Sequence, residues 1–320
     1  MPHKIVILDD RYDSYQLEKD VLEPIDATIV NVREQQEDQV IDAVRDACGI
    51  CVNLTPMPAA VINALERCRV IARYGVGYDN VDVGAATARG IWVANVTGYC
   101  DEDVSDQAFA LFMSCVRKTA QRDRQLRVGV NDLKATSPQH RIRGRTFVLF
   151  GYGRIARVLH RKLSGFELGR VLVVDPFVEE ETIRAAGAEK VDFDTAIREG
   201  DYFSIHMPLN EKTRSMFNET VFRAMKPTAM VINTSRGPLL DESALHRALS
   251  EGWIDSAGLD VFENEPVTRD NPLLGLENIT VSGHTGFYTE ESLSELKTKA
   301  AENVKAVLTG GKPNDPVNEL

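Results

Sequence analysis

Glycines at a fixed spacing and a later aspartate form the first group of residues whose types could do chemistry. Gly151, Gly153 and Ala156 make a GxGxxA string, and Asp175 stands 24 residues after the first glycine. In such a string the first glycine makes a tight turn, the second lets the backbone approach a pyrophosphate, and the alanine allows close helix–strand packing. A carboxylate at this later position accepts hydrogen bonds from ribose hydroxyls and repels a 2'-phosphate. The pattern therefore predicts an NAD site rather than an NADP site.

The predicted elements around the glycine string support this interpretation. The string follows a predicted strand at 146–150 and opens a predicted helix at 154–168, and a second strand at 171–174 leads to the aspartate. A helix that begins at the string presents its positive end to phosphate groups. Pro176 and Phe177 follow, where a phosphate-binding arginine could have stood. The cofactor-binding residues predicted from this part of the chain are Gly151, Tyr152, Gly153, Arg154, Ile155 and Asp175.

Three further segments combine arginine, carboxylate and imidazole side chains. They are residues 233–237 (NTSRG), 258–266 (GLDVFENEP) and 282–287 (SGHTGF). Each lies just after a predicted strand, and ligands bind at the carboxyl ends of the strands in open α/β sheets. We therefore expect all three segments to lie at a ligand site.

With these segments the sequence resembles the D-isomer-specific 2-hydroxyacid dehydrogenase family. Residues 282–287 are most similar to the branch that includes C-terminal-binding-protein-like dehydrogenases. The resemblance runs over nearly the whole chain, and residues 73–82, 95–99 and 206–213 also carry it.

The resemblance implies a catalytic triad of Arg236, Glu265 and His284. Oxidation of a 2-hydroxy acid moves a hydride from C2 to the nicotinamide while a base removes the hydroxyl proton, and histidine titrates near neutral pH. His284 is therefore expected to be that base. Glu265, bonded to the other imidazole nitrogen, would fix the tautomer and favour the protonated form that the reverse reduction needs. Arg236 would offer a planar fork to the substrate carboxylate and the reacting oxygen.

The resemblance also assigns contacts around this triad. Asp260 is expected near the nicotinamide carboxamide, and Pro208 with the His206 backbone near the adenine. The turn at 74–77 would offer backbone N–H groups to the substrate carboxylate. The other expected cofactor contacts are Thr213, Thr234 and Ser235, with Arg236 and His284. The expected substrate contacts are Asn53, Leu54, Arg73, Gly75, Val76, Gly77 and Phe287, again with Arg236 and His284. No metal site is expected.

The chain departs from the family pattern at three places. Residues 103–107 read DVSDQ where the family usually shows a Glu-Val-Ala-Asp-His-like run, so the resemblance assigns no cofactor contact to an acidic residue there. Gly283 replaces a proline that often precedes the family's histidine. The pocket loop at 53–56 has neither Arg nor Lys, although a phosphorylated substrate would need one.

The elements that position these residues follow from short apolar runs alternating with helical patterns, which is the rhythm of βαβ units with parallel sheets. Strands are predicted at 4–8, 27–32, 49–54, 70–74, 91–94, 146–150, 170–174, 188–191, 202–205, 229–233, 257–261 and 278–282. Helices are predicted at 36–47, 58–67, 154–168 and 290–308, and one long helix without an obvious break from Asp101 to about Arg127.

Two doubly wound α/β domains are the predicted fold. The resemblance and the alternation place a Rossmann NAD-binding domain at 101–284, inserted into a smaller flavodoxin-like substrate domain made of residues 1–100 and 285–320. A helix of the length predicted from Asp101 would bridge domains or line a dimer interface, so a homodimer is expected.

Composition excludes several classes of function. A net charge of -11 repels nucleic acid and anionic lipid, and a small molecule is the expected partner. The sequence lacks an apolar run of membrane-spanning length and a signal peptide at its start, which favours the cytoplasm. Cys48 and Cys51 form one CxxC, which we interpret as buried thiols rather than a redox pair.

The main hypothesis is an NAD-dependent oxidoreductase that interconverts a small D-2-hydroxy acid and its 2-ketoacid. A corepressor-like protein gated by nucleotide, in which the catalytic residues persist but partner recruitment is the output, is one alternative. A short-form D-3-phosphoglycerate dehydrogenase is the other.

Overall fold

The structure is a computed structural model that describes residues 2–8, 11–33 and 36–320. The chain forms two compact units. The first unit consists of Met1–Cys100 and Thr289–Leu320, and the second unit of Asp101–Tyr288.

The chain returns to the first unit at Thr289, whereas the sequence predicted the return at residue 285. The backbone N–H groups of Thr285 and Gly286 donate to the Asp260 carboxylate over 3.0 and 2.8 Å. These bonds hold the intervening residues in the second unit.

A five-stranded parallel sheet forms the centre of the first unit. Two of its strands are buried along their whole length, as expected for a parallel sheet covered on both faces. The strands are β1 (His3–Leu8), β2 (Ala27–Val32), β3 (Gly49–Val52), β4 (Val70–Arg73) and β5 (Trp92–Ala94). Their order, β2-β1-β3-β4-β5, is the flavodoxin-like order of a doubly wound fold.

The helices of the first unit are short except for the one that ends it. They are α1 (Gln16–Leu22), α2 (Glu37–Val44), α3 (Ala59–Asn63), α4 (Val83–Ala88) and the final helix (Glu290–Leu308). Thr289 begins the final helix with a capping box, in which its hydroxyl accepts from the Ser292 N–H and the Ser292 hydroxyl accepts from the Thr289 N–H, both at 3.0 Å.

A buried polar cluster lies under the carboxyl ends of β3 and β4. The Tyr74 hydroxyl donates to Glu18 Oε1 over 2.9 Å, and Lys297 Nζ lies 3.7 Å from Glu18 Oε2. Burial raises the pKa of Cys51, beside this cluster, to about 12. Its thiol is therefore protonated at neutral pH, and Cys48 is buried as well.

A seven-stranded parallel sheet forms the centre of the second unit. Its strands are β6 (Thr146–Phe150), β7 (Arg170–Val174), β8 (Glu189–Lys190), β9 (Tyr202–Ile205), β10 (Met230–Asn233), β11 (Ser256–Leu259) and β12 (Ile279–Val281). The order β8-β7-β6-β9-β10-β11-β12 is the Rossmann order with a seventh strand added. The two parallel-sheet α/β domains that the sequence predicted are confirmed.

Helices cover both faces of the second sheet. They are α5 (Asp101–Arg117), α6 (Thr119–Arg127), α7 (Arg154–Leu163), α8 (Glu180–Ala185), α9 (Phe193–Glu199), α10 (Glu219–Ala224) and α11 (Glu242–Ser250). Apolar residues of α5 and α7 pack on one face of the sheet, and apolar residues of α10 and α11 pack in the cluster on the other. None of the helices in the described ranges has the length and apolar character needed to cross a membrane.

The single helix predicted from Asp101 to about Arg127 is wrong. The helix breaks at Lys118, whose φ of 54° lies in the left-handed region. Lys118 Nζ instead reaches Asp255 Oδ2 over 2.6 Å, and both side chains are almost fully buried. A long-range ion pair is thus formed at the point where the helical pattern in the sequence shows no break.

Candidate active site

The glycine string forms a tight turn between β6 and α7. Gly151 has a φ of +84°, and a Cβ built on it would lie 2.8 Å from the His206 carbonyl oxygen, so only glycine fits. A Cβ on Gly153 would meet no atom of the described chain within 4 Å, so the space before this residue is open. Ala156 is fully buried, as close helix–strand packing requires.

Asp175, at the end of β7, binds the backbone on both sides of it. Its Oδ2 accepts from the Tyr152 N–H over 2.7 Å. Its Oδ1 accepts from the N–H groups of Phe177 and Val178 over 2.8 and 3.0 Å. A carboxylate has about four lone-pair sites, so these three bonds leave acceptor capacity on Asp175, and its contact with the ribose hydroxyls stays a prediction.

Further contacts fix the turn at Tyr152. The Tyr152 hydroxyl and His160 Nδ1 are 2.8 Å apart, and Arg157 Nε donates to the Tyr152 carbonyl over 3.0 Å. Arg154 points elsewhere: its Nε donates to Asp101 Oδ2 over 2.6 Å. Ile155 is half-buried in the first turn of α7.

The segment after β10 presents hydroxyl groups at the same edge of the sheet. The buried Asn233 side chain accepts from the Ser235 N–H over 3.0 Å and donates to the Arg236 carbonyl over 2.8 Å, which closes the turn. Ser235 Oγ donates to the Met207 carbonyl over 2.5 Å. Thr234 Oγ1 is buried and has no hydrogen-bond partner among the described residues. A buried hydroxyl of this kind calls for a partner outside the chain.

The segment after β9 carries the residues that the resemblance assigned to adenine binding. The His206 ring is bonded through Nε2 to Ser204 Oγ over 2.8 Å, and burial lowers its pKa to about 4, so it is neutral. Thr213 Oγ1 donates to the Pro208 carbonyl over 2.8 Å. Pro208 and Thr213 therefore belong to one loop that closes on itself.

The Arg236 loop packs directly on the loop that carries Glu265. A Cβ on Gly237 would lie 1.8 Å from the Phe262 carbonyl carbon, so no other residue allows this approach. The Phe262 N–H donates to Glu265 Oε1 over 2.9 Å. Arg236 is half-buried, and its Nη1 donates to the Ser235 carbonyl over 2.9 Å.

The Glu265 carboxylate is shared between that backbone and the imidazole of His284. Glu265 Oε2 lies 2.5 Å from His284 Nδ1, and each side chain is about one-fifth exposed. His284 has a φ of 54°, a left-handed conformation that is uncommon outside glycine. Because Nδ1 is taken by the carboxylate, Nε2 is the ring nitrogen that can exchange a proton with a ligand.

Asp260 holds the loop that carries the imidazole. The His284 N–H donates to the Asp260 carbonyl over 2.6 Å, and the carboxylate accepts from the backbone N–H groups of Thr285 and Gly286 and from the Ser282 hydroxyl. The side chain is buried. These contacts are internal, and sequence reasoning, which assigned Asp260 only to the nicotinamide, did not foresee them.

The residues of the first unit that were assigned to substrate lie at or just after the ends of β3 and β4. Arg73 is buried, its Nη1 donates to the Tyr74 carbonyl over 2.6 Å, and a Cβ on Gly75 would lie only 1.6 Å from that nitrogen. Among the described residues the N–H groups of Val76 and Gly77 have no hydrogen-bond partner. Gly75 has a φ of +139°, a conformation that glycine adopts readily, and the resemblance assigned this turn to the substrate carboxylate.

The remaining predicted substrate residues, Asn53, Leu54 and Phe287, differ in how deeply they are buried. Asn53 is buried, and its Nδ2 donates to the Tyr12 hydroxyl over 3.3 Å. Leu54 is exposed, and Phe287, which belongs to the second unit, is half-buried.

The residues of the second unit fit a dinucleotide. The turn at Gly151 leaves open space at the start of α7, whose N–H groups face phosphate in such folds. Thr234 offers a hydroxyl that has no partner among the residues that the structure describes, and Asp175, which accepts three backbone N–H groups, retains acceptor capacity. A Rossmann sheet with this turn and an imidazole–carboxylate pair defines an NAD(P)-dependent oxidoreductase.

Comparison with known proteins identifies the family. The family model for the D-isomer specific 2-hydroxyacid dehydrogenase, NAD binding domain, matches residues 109–286. The chain is 40% identical over 285 residues to a glyoxylate reductase of Korarchaeum cryptofilum, covering 88% of this chain and 85% of the relative. The chain therefore belongs to the D-isomer specific 2-hydroxyacid dehydrogenase family, and its second unit contains the NAD-binding domain.

Solved structures agree with this assignment. A glyoxylate reductase from Paecilomyes thermophila superposes with a TM-score of 0.89 at 27% identity, covering 99% of this chain and 98% of that one. An NADPH-dependent glyoxylate/hydroxypyruvate reductase from Sinorhizobium meliloti, in complex with NADP and malonate, superposes with a TM-score of 0.87 at 29% identity, covering 99% and 97%.

Proposed function

We propose that the protein reduces a small, unphosphorylated 2-ketoacid to the D-2-hydroxy acid with NADH and catalyses the reverse oxidation, with glyoxylate as the first candidate substrate. The observation that carries this is the 2.5 Å contact between His284 Nδ1 and Glu265 Oε2. Relatives named glyoxylate reductase support the substrate class. The absence of Arg and Lys from residues 53–56 disfavours the phosphoglycerate alternative.

The proton in this reaction is handled by His284. In reduction its Nε2 donates a proton to the carbonyl oxygen, and in oxidation it removes the hydroxyl proton. Glu265 fixes the tautomer through Nδ1 and stabilises the imidazolium form. Bound NADH supplies the hydride.

In the second unit, the Arg236 guanidinium is proposed to offer a planar fork to the substrate carboxylate and to polarise the reacting oxygen. In the first unit, the N–H groups of Val76 and Gly77 stay predicted contacts of a substrate carboxylate.

The test is NADH oxidation with a panel of glyoxylate, pyruvate, hydroxypyruvate and a phosphorylated ketoacid. His284→Ala should lower kcat by about 100-fold or more in both directions and leave NADH binding intact. Glu265→Gln should lower kcat in both directions, because the His284 imidazole loses the carboxylate that fixes its tautomer. His246→Ala, a half-buried histidine on α11 of the same unit, is the matched control and should behave like wild type.

Near-normal turnover in His284→Ala would show that another group transfers the proton. No turnover of any panel member by wild-type protein, with NADH still bound, would instead favour the corepressor-like alternative. The similarity of residues 282–287 to the C-terminal-binding-protein-like branch stays a prediction from the sequence.

Preference for NADH over NADPH is part of the proposal. Asp175 places a carboxylate at the end of β7, where it would repel a 2'-phosphate. The structural relative from Sinorhizobium meliloti is NADPH-dependent, so this fold also accommodates NADPH. Running the panel with each cofactor tests the preference, and equal kcat/KM values would overturn it.

A homodimer is also proposed, with residues 117–145 as the contact. This segment exposes Leu126, Val128 and Leu133, at 62%, 78% and 86%. It carries nine Arg and Lys against two Asp, whereas the rest of the chain carries 46 acidic and 28 basic residues. A second copy of this chain supplies both an apolar match and an acidic surface. Light scattering should give a dimer for wild type and a monomer for Leu126→Asp/Val128→Asp, and a monomeric wild type would refute the proposal.

A further inference from the structure

The loop that carries His284 is bound through one carboxylate. Asp260 Oδ1 accepts from the Thr285 N–H over 3.0 Å, and Oδ2 accepts from the Gly286 N–H over 2.8 Å. The imidazole lies directly before these two residues in the chain. Any rotation of the Asp260 carboxylate therefore moves the backbone that sets the position of His284.

The orientation of that carboxylate is itself fixed by two further side chains. Ser282 Oγ donates to Asp260 Oδ1 over 2.6 Å. Gln107, on α5, donates through Nε2 to Ser282 Oγ over 2.7 Å. Gln107 donates to Ser282, and Ser282 donates to Asp260, so the two bonds form a continuous relay from α5 to the Asp260 carboxylate.

Gln107 also touches the loop by packing. A Cβ on Gly286 would lie 2.8 Å from Asp260 Oδ2 and 3.1 Å from Gln107 Cγ. Gly286 is buried between the two side chains. The amide of Gln107 therefore fixes one end of the relay while its aliphatic carbons pack near the other end.

We propose that Gln107 and Ser282 are positioning residues that act through Asp260 to hold the His284 imidazole for proton transfer. This inference rests on the proposed function of His284. Ser114, about two turns after Gln107 on α5, is the matched control. Its hydroxyl lies 3.1 Å from the Thr280 hydroxyl of β12. Both bonds join α5 to β12 or to the residue that follows it, but only the Gln107 bond leads to the His284 loop.

The test compares four variants in NADH-dependent glyoxylate reduction. Gln107→Leu and Ser282→Ala break the relay, and each should lower kcat by about 10-fold or more, because a misplacement of about 1 Å can cost about 100-fold. Ser282→Thr retains the hydroxyl and should recover most of the rate. Ser114→Ala should match wild type. The KM for NADH and the thermal unfolding midpoint should stay near wild type in all four.

A second readout separates positioning from a merely structural role. With deuterated NADH, the isotope effect on kcat should rise in Gln107→Leu and Ser282→Ala, because slower chemistry becomes rate-limiting. Wild-type kcat and isotope effect in Gln107→Leu, or equal losses in Ser282→Thr and Ser282→Ala, would overturn the relay. An active His284→Ala variant would instead overturn the proposed function.

Discussion

The Asp175 carboxylate accepts a hydrogen bond from the Tyr152 N–H over 2.7 Å, so the residue expected to select the cofactor also fixes the glycine turn. The two residues lie 23 positions apart, at the ends of neighbouring strands β6 and β7. Because the same carboxylate accepts from Phe177 and Val178, its removal frees three backbone donors at once.

Replacement of Asp175 should therefore weaken the binding of NADH by more than it strengthens the binding of NADPH. In Asp175→Ala the KM for NADH should rise about 10-fold or more, since bonds to a charged acceptor contribute about 1.5–3 kcal/mol each. The ratio of kcat/KM with NADH to kcat/KM with NADPH should fall, mainly because kcat/KM with NADH decreases. Asp192→Ala is the control, because its carboxylate also accepts a backbone N–H, from Thr195 at the start of α9. An NADPH kcat/KM that rises to the wild-type NADH value would show that repulsion alone sets the preference.

A second prediction concerns Gly237, where two loops of the site touch. Gly237→Ala places a Cβ 1.8 Å from the Phe262 carbonyl carbon, so the backbone must move. Since Phe262 donates to Glu265, kcat should fall by about 10-fold or more and the unfolding midpoint should drop. Gly275→Ala is the matched control, since a Cβ there meets nothing within 4 Å in the described chain. Steady-state kinetics and thermal denaturation check both, and a fully active Gly237→Ala protein would contradict the geometry.

A third prediction concerns the buried ion pair at the helix break. Lys118 and Asp255 have side chains only 2% and 9% exposed. Lys118→Met should lower the free energy of unfolding by about 3 kcal/mol, because it leaves a buried carboxylate without its cation. Arg184→Met removes an exposed ion pair with Glu181 on α8 and should have little effect. Denaturant titration of both variants measures the difference, and equal losses would show that burial does not matter here.

Much of the fold could be predicted because buried parallel strands are apolar runs. The strands at 146–150, 170–174 and 202–205 and the helix at 290–308 have the bounds expected from the sequence. The helix break at Lys118 could not be predicted, because its partner lies 137 positions away. A helical pattern contains no sign of such a contact.

The candidate site divides in the same way. The glycine turn depends on local spacing, and its conformation at Gly151 follows from the sequence. The relay from Gln107 to Ser282 joins residues 175 positions apart and depends on how α5 packs on the sheet. At Gln107 the sequence showed a departure from the family pattern but not its partner.

The last prediction concerns the acid stability of the second unit and rests on Asp201. Burial alone would raise the pKa of Asp201, but the Thr146 N–H at 2.9 Å and the Lys226 ammonium at 2.9 Å lower it below its ordinary value of 3.8. As the pH falls, Asp201 is therefore protonated in the unfolded chain before it is protonated in the folded chain. At a pH above the ordinary pKa of 3.8, the ionised carboxylate stabilises the folded state in full. That stabilisation is lost as the pH falls through the lower pKa of the folded state.

Asp201→Asn should therefore be less stable than wild type at pH 7, and the difference should shrink as pH falls below about 4. Thermal midpoints of both proteins, measured from pH 7 down to about pH 3, check this. Asp42→Asn is the control, because Asp42 is 77% exposed and its midpoint should follow wild type throughout. A difference between wild type and Asp201→Asn that stays constant with pH would show that the side chain contributes through shape and hydrogen bonding rather than through its charge.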